Sequence, residues 1–326
     1  MISMRRSYKF RVEPPNAGQR LDQFLASRMG ELSRMRITNL IHSGSCVVNG
    51  ASGRAGYRIA EGDAIEISFE EGPPTSMLPE PIPLTIVHED YHLIVVVKPA
   101  GLLVHPTKSV KSGTLANALA YHLNRSRFDF NEPPVDPRPS IFDPQPAMRP
   151  GLVHRLDRAT SGLMVVAKTA RALTILSRHF RKRLVEKRYL ALVYGRLNQE
   201  SGTISAPIGR DPDRRPHWRV MEDGRCAETR FKVVERFGGA TVLELEPITG
   251  RTNQLRIHCA HIGHPIVGDE LEPRDFATSD SQPASRLCLH ARKLAFHHPA
   301  GGEWRVFVAD VPEDLTSVVE SFRRVS

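Results

Sequence analysis

The sequence predicts an α+β protein built around a mostly antiparallel sheet, preceded by a smaller α/β module. Beyond residue 84, short strand-like apolar runs alternate with a few helical stretches. The first 70 residues hold two helical apolar stripes followed by two strand patterns. Between the two parts, five prolines fall in the 14 residues from Glu70 to Pro83, which suits neither a helix nor a central strand. A semi-rigid linker is expected over 71–83, separating a module at 13–70 from a body at 84–320.

In the module, Leu21, Phe24, Leu25 and Met29 recur at helical spacing. Ser33 stands where an N-cap belongs, and Ile37, Leu40 and Ile41 form a second stripe that Gly44 can stop. Arg34, Arg36 and His42 fall on other faces of that second helix. Val47-Val48-Asn49-Gly50 reads as a strand ending in a tight turn, and Ile65-Glu-Ile-Ser-Phe69 as another strand. In the body, a second proline-rich stretch at 131–150 reads as a long surface loop or insertion.

Composition bounds the function. Hydrophobic residues make up 40% of the 326, enough to bury a sizeable core and to argue against global disorder. The longest strongly apolar run, Leu93 to Val97, is far short of the roughly 18 residues of a spanning helix, so no membrane role is expected. The basic start has no apolar stretch of the kind a secretory signal needs. Four cysteines without C-x-x-C spacing fit a reducing cytoplasm. Net charge is 45 − 36 = +9, which favours a polyanionic partner, most simply a nucleic acid.

The densest chemistry lies in Arg149-Pro-Gly-Leu-Val-His-Arg-Leu-Asp-Arg-Ala-Thr-Ser-Gly-Leu-Met-Val-Val-Ala-Lys168. Two apolar runs flank a polar turn that carries Asp157 between Arg155 and Arg158. Nearby cations favour an ionised carboxylate, which can act as nucleophile or electrostatic stabiliser. Taken alone, such an aspartate is as readily a turn residue in a salt bridge. Tyr189, in the apolar run Tyr189-Leu-Ala-Leu-Val193, reads by spacing as a strand-core residue. His258, Cys259, His261 and His264 raise the question of a metal, but His264 is turned away from the helical face of His258 and His261. No H-E-x-x-H or zinc-deaminase pattern appears, so no metal is expected.

The segment around His154-Arg-Leu-Asp157 resembles the signature of the RluA family of RNA pseudouridine synthases. Further motifs come in that family's order: Glu89-Asp90, Val96-Val-Lys-Pro-Ala-Gly-Leu-Leu-Val-His-Pro106, Gly113-Thr-Leu-Ala-Asn-Ala-Leu119, Lys187-Arg-Tyr189 and Pro207-Ile-Gly-Arg-Asp211. Thr249-Gly-Arg-Thr-Asn-Gln-Leu-Arg-Ile-His-Cys-Ala-His-Ile-Gly-His-Pro-Ile-Val-Gly-Asp269, Leu289-His-Ala-Arg292 and His298-Pro299 follow. Asn253 stands where the family pattern has His, and Val97 where it has Asn. Residues 18–69 resemble the small RNA-binding module of ribosomal-protein-S-four type, which makes Arg20, Arg34 and Arg36 candidates for phosphate contacts.

The resemblance implies isomerisation of uridine to pseudouridine without a cofactor. The bond from ribose C1′ to base N1 breaks, the base turns, and C1′ joins C5, with no redox change. It implies Asp157 as the catalytic carboxylate, Tyr189 stacked on the uracil, and Arg251 paired with Asp157. It also implies Leu255 and His154 beside the base, and Arg155 in the space left by an everted nucleotide. The route stays open among attack at C1′, attack on the base and a glycal path. Large-subunit ribosomal RNA is the expected partner, with transfer RNA as the alternative, and the acting form is expected to be a monomer. A non-catalytic RNA-binding protein would be favoured by loss of Asp157, Tyr189 or Arg251, and all three are present.

Overall fold

The computed structural model describes residues 4–29, 32, 34–71, 78–107, 109–125, 149–213, 217–270 and 284–325. The chain separates into two compact units, Met1–Thr75 and Ser76–Ser326.

In the first unit β1(Met4–Arg11), α1(Leu21–Arg28), α2(Arg34–His42), β2(Cys46–Val48), β3(Ala51–Ser52) and β4(Ala64–Glu71) follow in order. The sheet runs β1-β4-β2-β3, antiparallel throughout. Leu21, Phe24 and Leu25 of α1 and Ile37 and Ile41 of α2 are buried against Cys46, Ile65, Ile67 and Phe69. β1 lies ahead of residue 13, where the module was expected to begin. Its Tyr8 and Phe10 alternate with Ser7, Lys9 and Arg11, and both rings pack on this core. Glu71, expected to open the linker, is the last residue of β4, paired with Met4. The Ser33 N-cap, linker residues 72–77 and most of the 131–150 insertion lie outside the described residues.

The second unit continues with β5(Thr85–Glu89), β6(Leu93–Lys98), α3(Leu115–Asn124), β7(Gly151–Leu152), β8(Ser161–Ala167), α4(Ala170–Arg181) and β9(Glu186–Tyr194). Then come β10(Ser201–Ser205), β11(Ile208–Arg210), β12(Trp218–Val220), β13(Glu228–Arg236), β14(Ala240–Pro247), α5(Gln254–His261), β15(Leu289–His297), β16(Trp304–Val308) and α6(Glu313–Val325). The large sheet runs β10-β13-β14-β9-β15-β8-β6-β5, with β16 on β15 and β7 on β8. It is antiparallel except where β15 meets β8 in parallel, Ser161 opposite His290 and Gly162 opposite Ala291.

β6 and β8 are apolar on both faces because each face carries a helix. Ile94, Val96, Met164 and Val166 pack with Leu115 and Leu119 of α3, while Leu93, Val95, Leu163 and Val165 pack with Ala172 and Leu176 of α4. Each such fully buried side chain larger than alanine contributes about 1.5–3 kcal/mol. Thr114 caps α3 in a reciprocal box with Asn117, and Thr169 caps α4 through the Ala172 N–H. α6 runs past the expected boundary at 320, since Leu315 and Phe322 are buried in the core of the β9–β14 side.

Two backbone positions matter for the site. Gly162 has φ +121, and a Cβ there would lie 2.4 Å from the Ala291 carbonyl oxygen. Gly162→Ala is therefore expected to destabilise the fold by about 3 kcal/mol, since two strands must part to admit one methyl group. Denaturant titration checks this; an unchanged midpoint would contradict the packing described. α4 ends in a Schellman turn, with Arg183 N–H donating to Phe180 O at 3.2 Å and Leu184 N–H to His179 O at 2.9 Å. Arg183 occupies its left-handed position at φ 59, where an L-residue costs about 1–2 kcal/mol.

Among the described residues, no helix is long and apolar enough to cross a membrane.

Candidate active site

Asp157 lies in the loop between β7 and β8. The Thr160 N–H donates to the Asp157 carbonyl at 3.2 Å, closing a turn. Lys98, at the end of β6 and 0% exposed, secures the next residue. Its Nζ donates to the carbonyls of Pro99 and Leu102 at 2.8 Å each and of Arg158 at 3.1 Å. Gly101 N–H donates to Arg158 O at 2.8 Å, and Arg158 Nε returns a bond to Gly101 O at 3.0 Å. The Lys98-Pro99-Ala100-Gly101 stretch thus acts as a backbone clamp on the aspartate loop.

This loop forms one wall of a cavity of about 500 Å³. All six residues singled out in the body line it: His154, Arg155, Asp157, Tyr189, Arg251 and Leu255. Among the described residues, Asp157 is the one carboxylate on the wall, against the cations Arg155, Arg181, Arg183, Lys187, Arg251 and Arg256.

Burial raises the Asp157 carboxyl above its ordinary range, opposed by the charges of Arg256, Arg155 and Lys98 in that order. The expected pairing of Arg251 with Asp157 is corrected here. Arg251 precedes α5, and its Nε donates to the Cys226 carbonyl at 3.1 Å. Arg256, in the first turn of α5, is the cation that acts most on Asp157. Its guanidinium forks onto Asp269, with Nε donating to Oδ2 at 2.8 Å and Nη2 to Oδ1. The Asp269 side chain is 2% exposed, so Arg256 is forked onto one largely buried carboxylate while its charge acts on a second, Asp157.

Why α5 starts where it does decides this. Asn253 is its N-cap in the left-handed conformation, φ 54, which asparagine tolerates better than most residues. Gln254 is buried and ties the preceding loop. Its Oε1 accepts from the Arg251 N–H at 3.0 Å and the Thr249 hydroxyl at 2.6 Å, and its Nε2 donates to Glu228 O at 2.9 Å. Leu255 then faces the cavity at 7% exposure.

Tyr189 stands on β9 between Leu245 of β14 and Ala291 of β15. Burial, then the charge of Asp157, holds its phenol protonated well above the usual range. The His154 ring stacks on Phe180 with centroids 4.5 Å apart, and its Nε2 accepts from the Val165 N–H at 3.1 Å. Burial pushes its pKa down to about 3, so the imidazole is neutral. His258 is spent on structure, with Nδ1 2.9 Å from Thr229 Oγ1 and Nε2 3.0 Å from Ala206 O.

In the first unit, Arg20 lies at the start of α1 with Nε 3.0 Å and Nη2 3.4 Å from the Asp22 carboxylate. The Arg36 guanidinium carbon lies 5.7 Å from the centre of the Phe69 ring. Arg34 begins α2, and its side chain lies outside the described residues.

Sequence reasoning did not single out Arg256, Asp269, Lys98 or Gln254. All four sit within the quoted motif runs. The missing signal was the start of α5, which places Arg251 before the helix and Arg256 within it.

The family model for RNA pseudouridylate synthase matches residues 92–261. The chain is 38% identical over 307 residues to an uncharacterized RNA pseudouridine synthase of Bacillus subtilis, covering 94% of this chain and 95% of that protein. It is 39% identical over 319 residues to ribosomal large subunit pseudouridine synthase D of Xanthomonas campestris, covering 95% and 91%. Among solved structures, human RNA pseudouridylate synthase domain containing 1 is similar at a TM-score of 0.52 and 25% identity, over 77% of this chain and 97% of that one. With motifs that meet around one cavity and relatives that span almost the whole sequence, the chain belongs to the RNA pseudouridylate synthase family, in its RluA-type branch, and is an isomerase acting on RNA.

Proposed function

We propose that the chain converts uridines of large-subunit ribosomal RNA to pseudouridine in the cytoplasm, as a monomer, with Asp157 as catalytic carboxylate and no cofactor. The observation that carries this reading is the convergence of Asp157, Tyr189 and Leu255 on a cavity whose charged wall is otherwise cationic. Attack at C1′, attack on the base and proton withdrawal toward a glycal all start from the ionised carboxylate. Arg256 holds Asp157 in that form, the role first expected of Arg251. Tyr189 enters as a neutral phenol, so its part is to stack on the uracil and hydrogen-bond, not to act as phenolate base. His154 braces the loop, and Arg155, exposed beside it, fills the space of the everted nucleotide.

The ribosomal assignment follows the Xanthomonas relative, a ribosomal large subunit pseudouridine synthase. The first unit, resembling the S-four-type module, supplies a second hold on RNA through Arg34 and Arg36. Arg20, forked onto Asp22, serves chiefly to set α1.

Forming the C1′–C5 bond expels the hydrogen at C5. Purified protein is therefore incubated with transcripts carrying tritium at uridine C5, and tritium in water counts turnover. Release from the ribosomal transcript is the expected result. Release from transfer RNA alone would reassign the substrate, and release from neither would overturn the reading.

A further inference from the structure

We propose that Arg183 is a ligand for an RNA phosphodiester at the rim of the cavity; this rests on the reading of the site as an RNA isomerase. Among the described residues, three non-glycine residues lie at positive φ: Asn49, Asn253 and Arg183. Asparagine visits that region readily, whereas a long cationic side chain gains nothing locally from it. A favourable charge at the end of α4 does not account for Arg183 either, because Arg178 and Arg181 already supply cations to the last turn.

What the left-handed turn does is carry the chain of Arg183 to the cavity, which it lines together with Arg155, Arg181, Lys187 and Arg251. Among the described residues, none of these five cations has a carboxylate within 4.0 Å. Arg183 is solvent-exposed and close enough for its charge to act on the neighbouring Lys187, whose ammonium burial pushes down. Asp157 on the same wall, and Glu246 acting on Lys187, offset only part of this positive charge, and the excess favours a polyanion. The phosphates flanking an everted uridine are such anions, and a guanidinium fork matches their oxygens.

The test uses the full chain with Arg183→Gly, Arg183→Ala and Arg183→Lys. Thermal melting is measured beside affinity for a large-subunit ribosomal RNA fragment between about 50 and 200 mM salt. Arg183→Gly is expected to melt at or above the wild-type temperature and above Arg183→Ala, because glycine relieves the turn. Both variants are expected to bind RNA on the order of three- to tenfold more weakly, with the slope of log affinity against log salt shallower by about 0.7–0.9. Arg183→Lys keeps most of the slope. Unchanged affinity and slope in Arg183→Gly would overturn the proposal. If the wild type binds RNA but releases no tritium, the reading of the reaction fails instead, and the slope still decides whether Arg183 meets phosphate.

Discussion

Asp157→Asn abolishes tritium release, by a factor of about 10⁴–10⁶, and leaves the fold more stable than the wild type at neutral pH. The two effects share one cause. Asparagine matches the carboxylate in shape but cannot attack carbon or withdraw a proton. In the folded chain burial raises the carboxyl of Asp157 above its unfolded value. Between those two values the unfolded state releases its proton first, so ionisation weakens the wild-type fold as pH rises through the window. The variant has no such loss. Its advantage in stability is absent at acid pH, grows through the window and is constant above it. Urea titrations across pH read this directly, and a variant less stable than wild type at every pH would contradict the site's electrostatics. By the same shift, the acidic limb of the wild-type rate profile lies above the ordinary carboxylate range.

The second large effect concerns the chain of charges Asp157, Arg256 and Asp269. Arg256→Gln leaves Asp269 buried without its guanidinium, which is expected to cost roughly 3–5 kcal/mol of stability. It also removes the largest attraction holding Asp157 ionised, so the acidic limb of kcat/KM moves to higher pH. Asp269→Asn has the opposite sign. Its charge raises the Asp157 carboxyl, so neutralising it moves the limb to lower pH, while turnover falls because Arg256 loses its seat. Activity profiles of both variants decide the matter; two shifts in the same direction would disprove the arrangement.

Much of this was legible in the linear chain. The apolar stripes of α1 and α2 and the runs that became β6, β8 and β9 announce themselves by periodicity, because each element must hide one or two faces. β1 was less legible: Arg5, Arg6, Lys9 and Arg11 mask an alternation that only Tyr8 and Phe10 express. The parallel meeting of β15 with β8 has no local signal, since it depends on residues far apart in the chain. The site was visible as a set of motifs, with Asp157, Tyr189 and Leu255 on the cavity wall. The choice between Arg251 and Arg256 was not visible, because it turns on a left-handed Asn253 and the hydrogen bonds of the Gln254 amide.

Ser161 and His290, 129 positions apart, are joined by a side-chain contact of 2.9 Å beside the strand pairing that seats Gly162. A ribosome making this chain releases the aspartate loop long before the segment that anchors it, and Leu289, another part of the cavity wall, arrives equally late. Nascent or prematurely ended polypeptides that stop short of β15 thus carry every signature motif up to Asp269 yet lack the strand that lies between β8, which follows the Asp157 loop, and β9, which carries Tyr189.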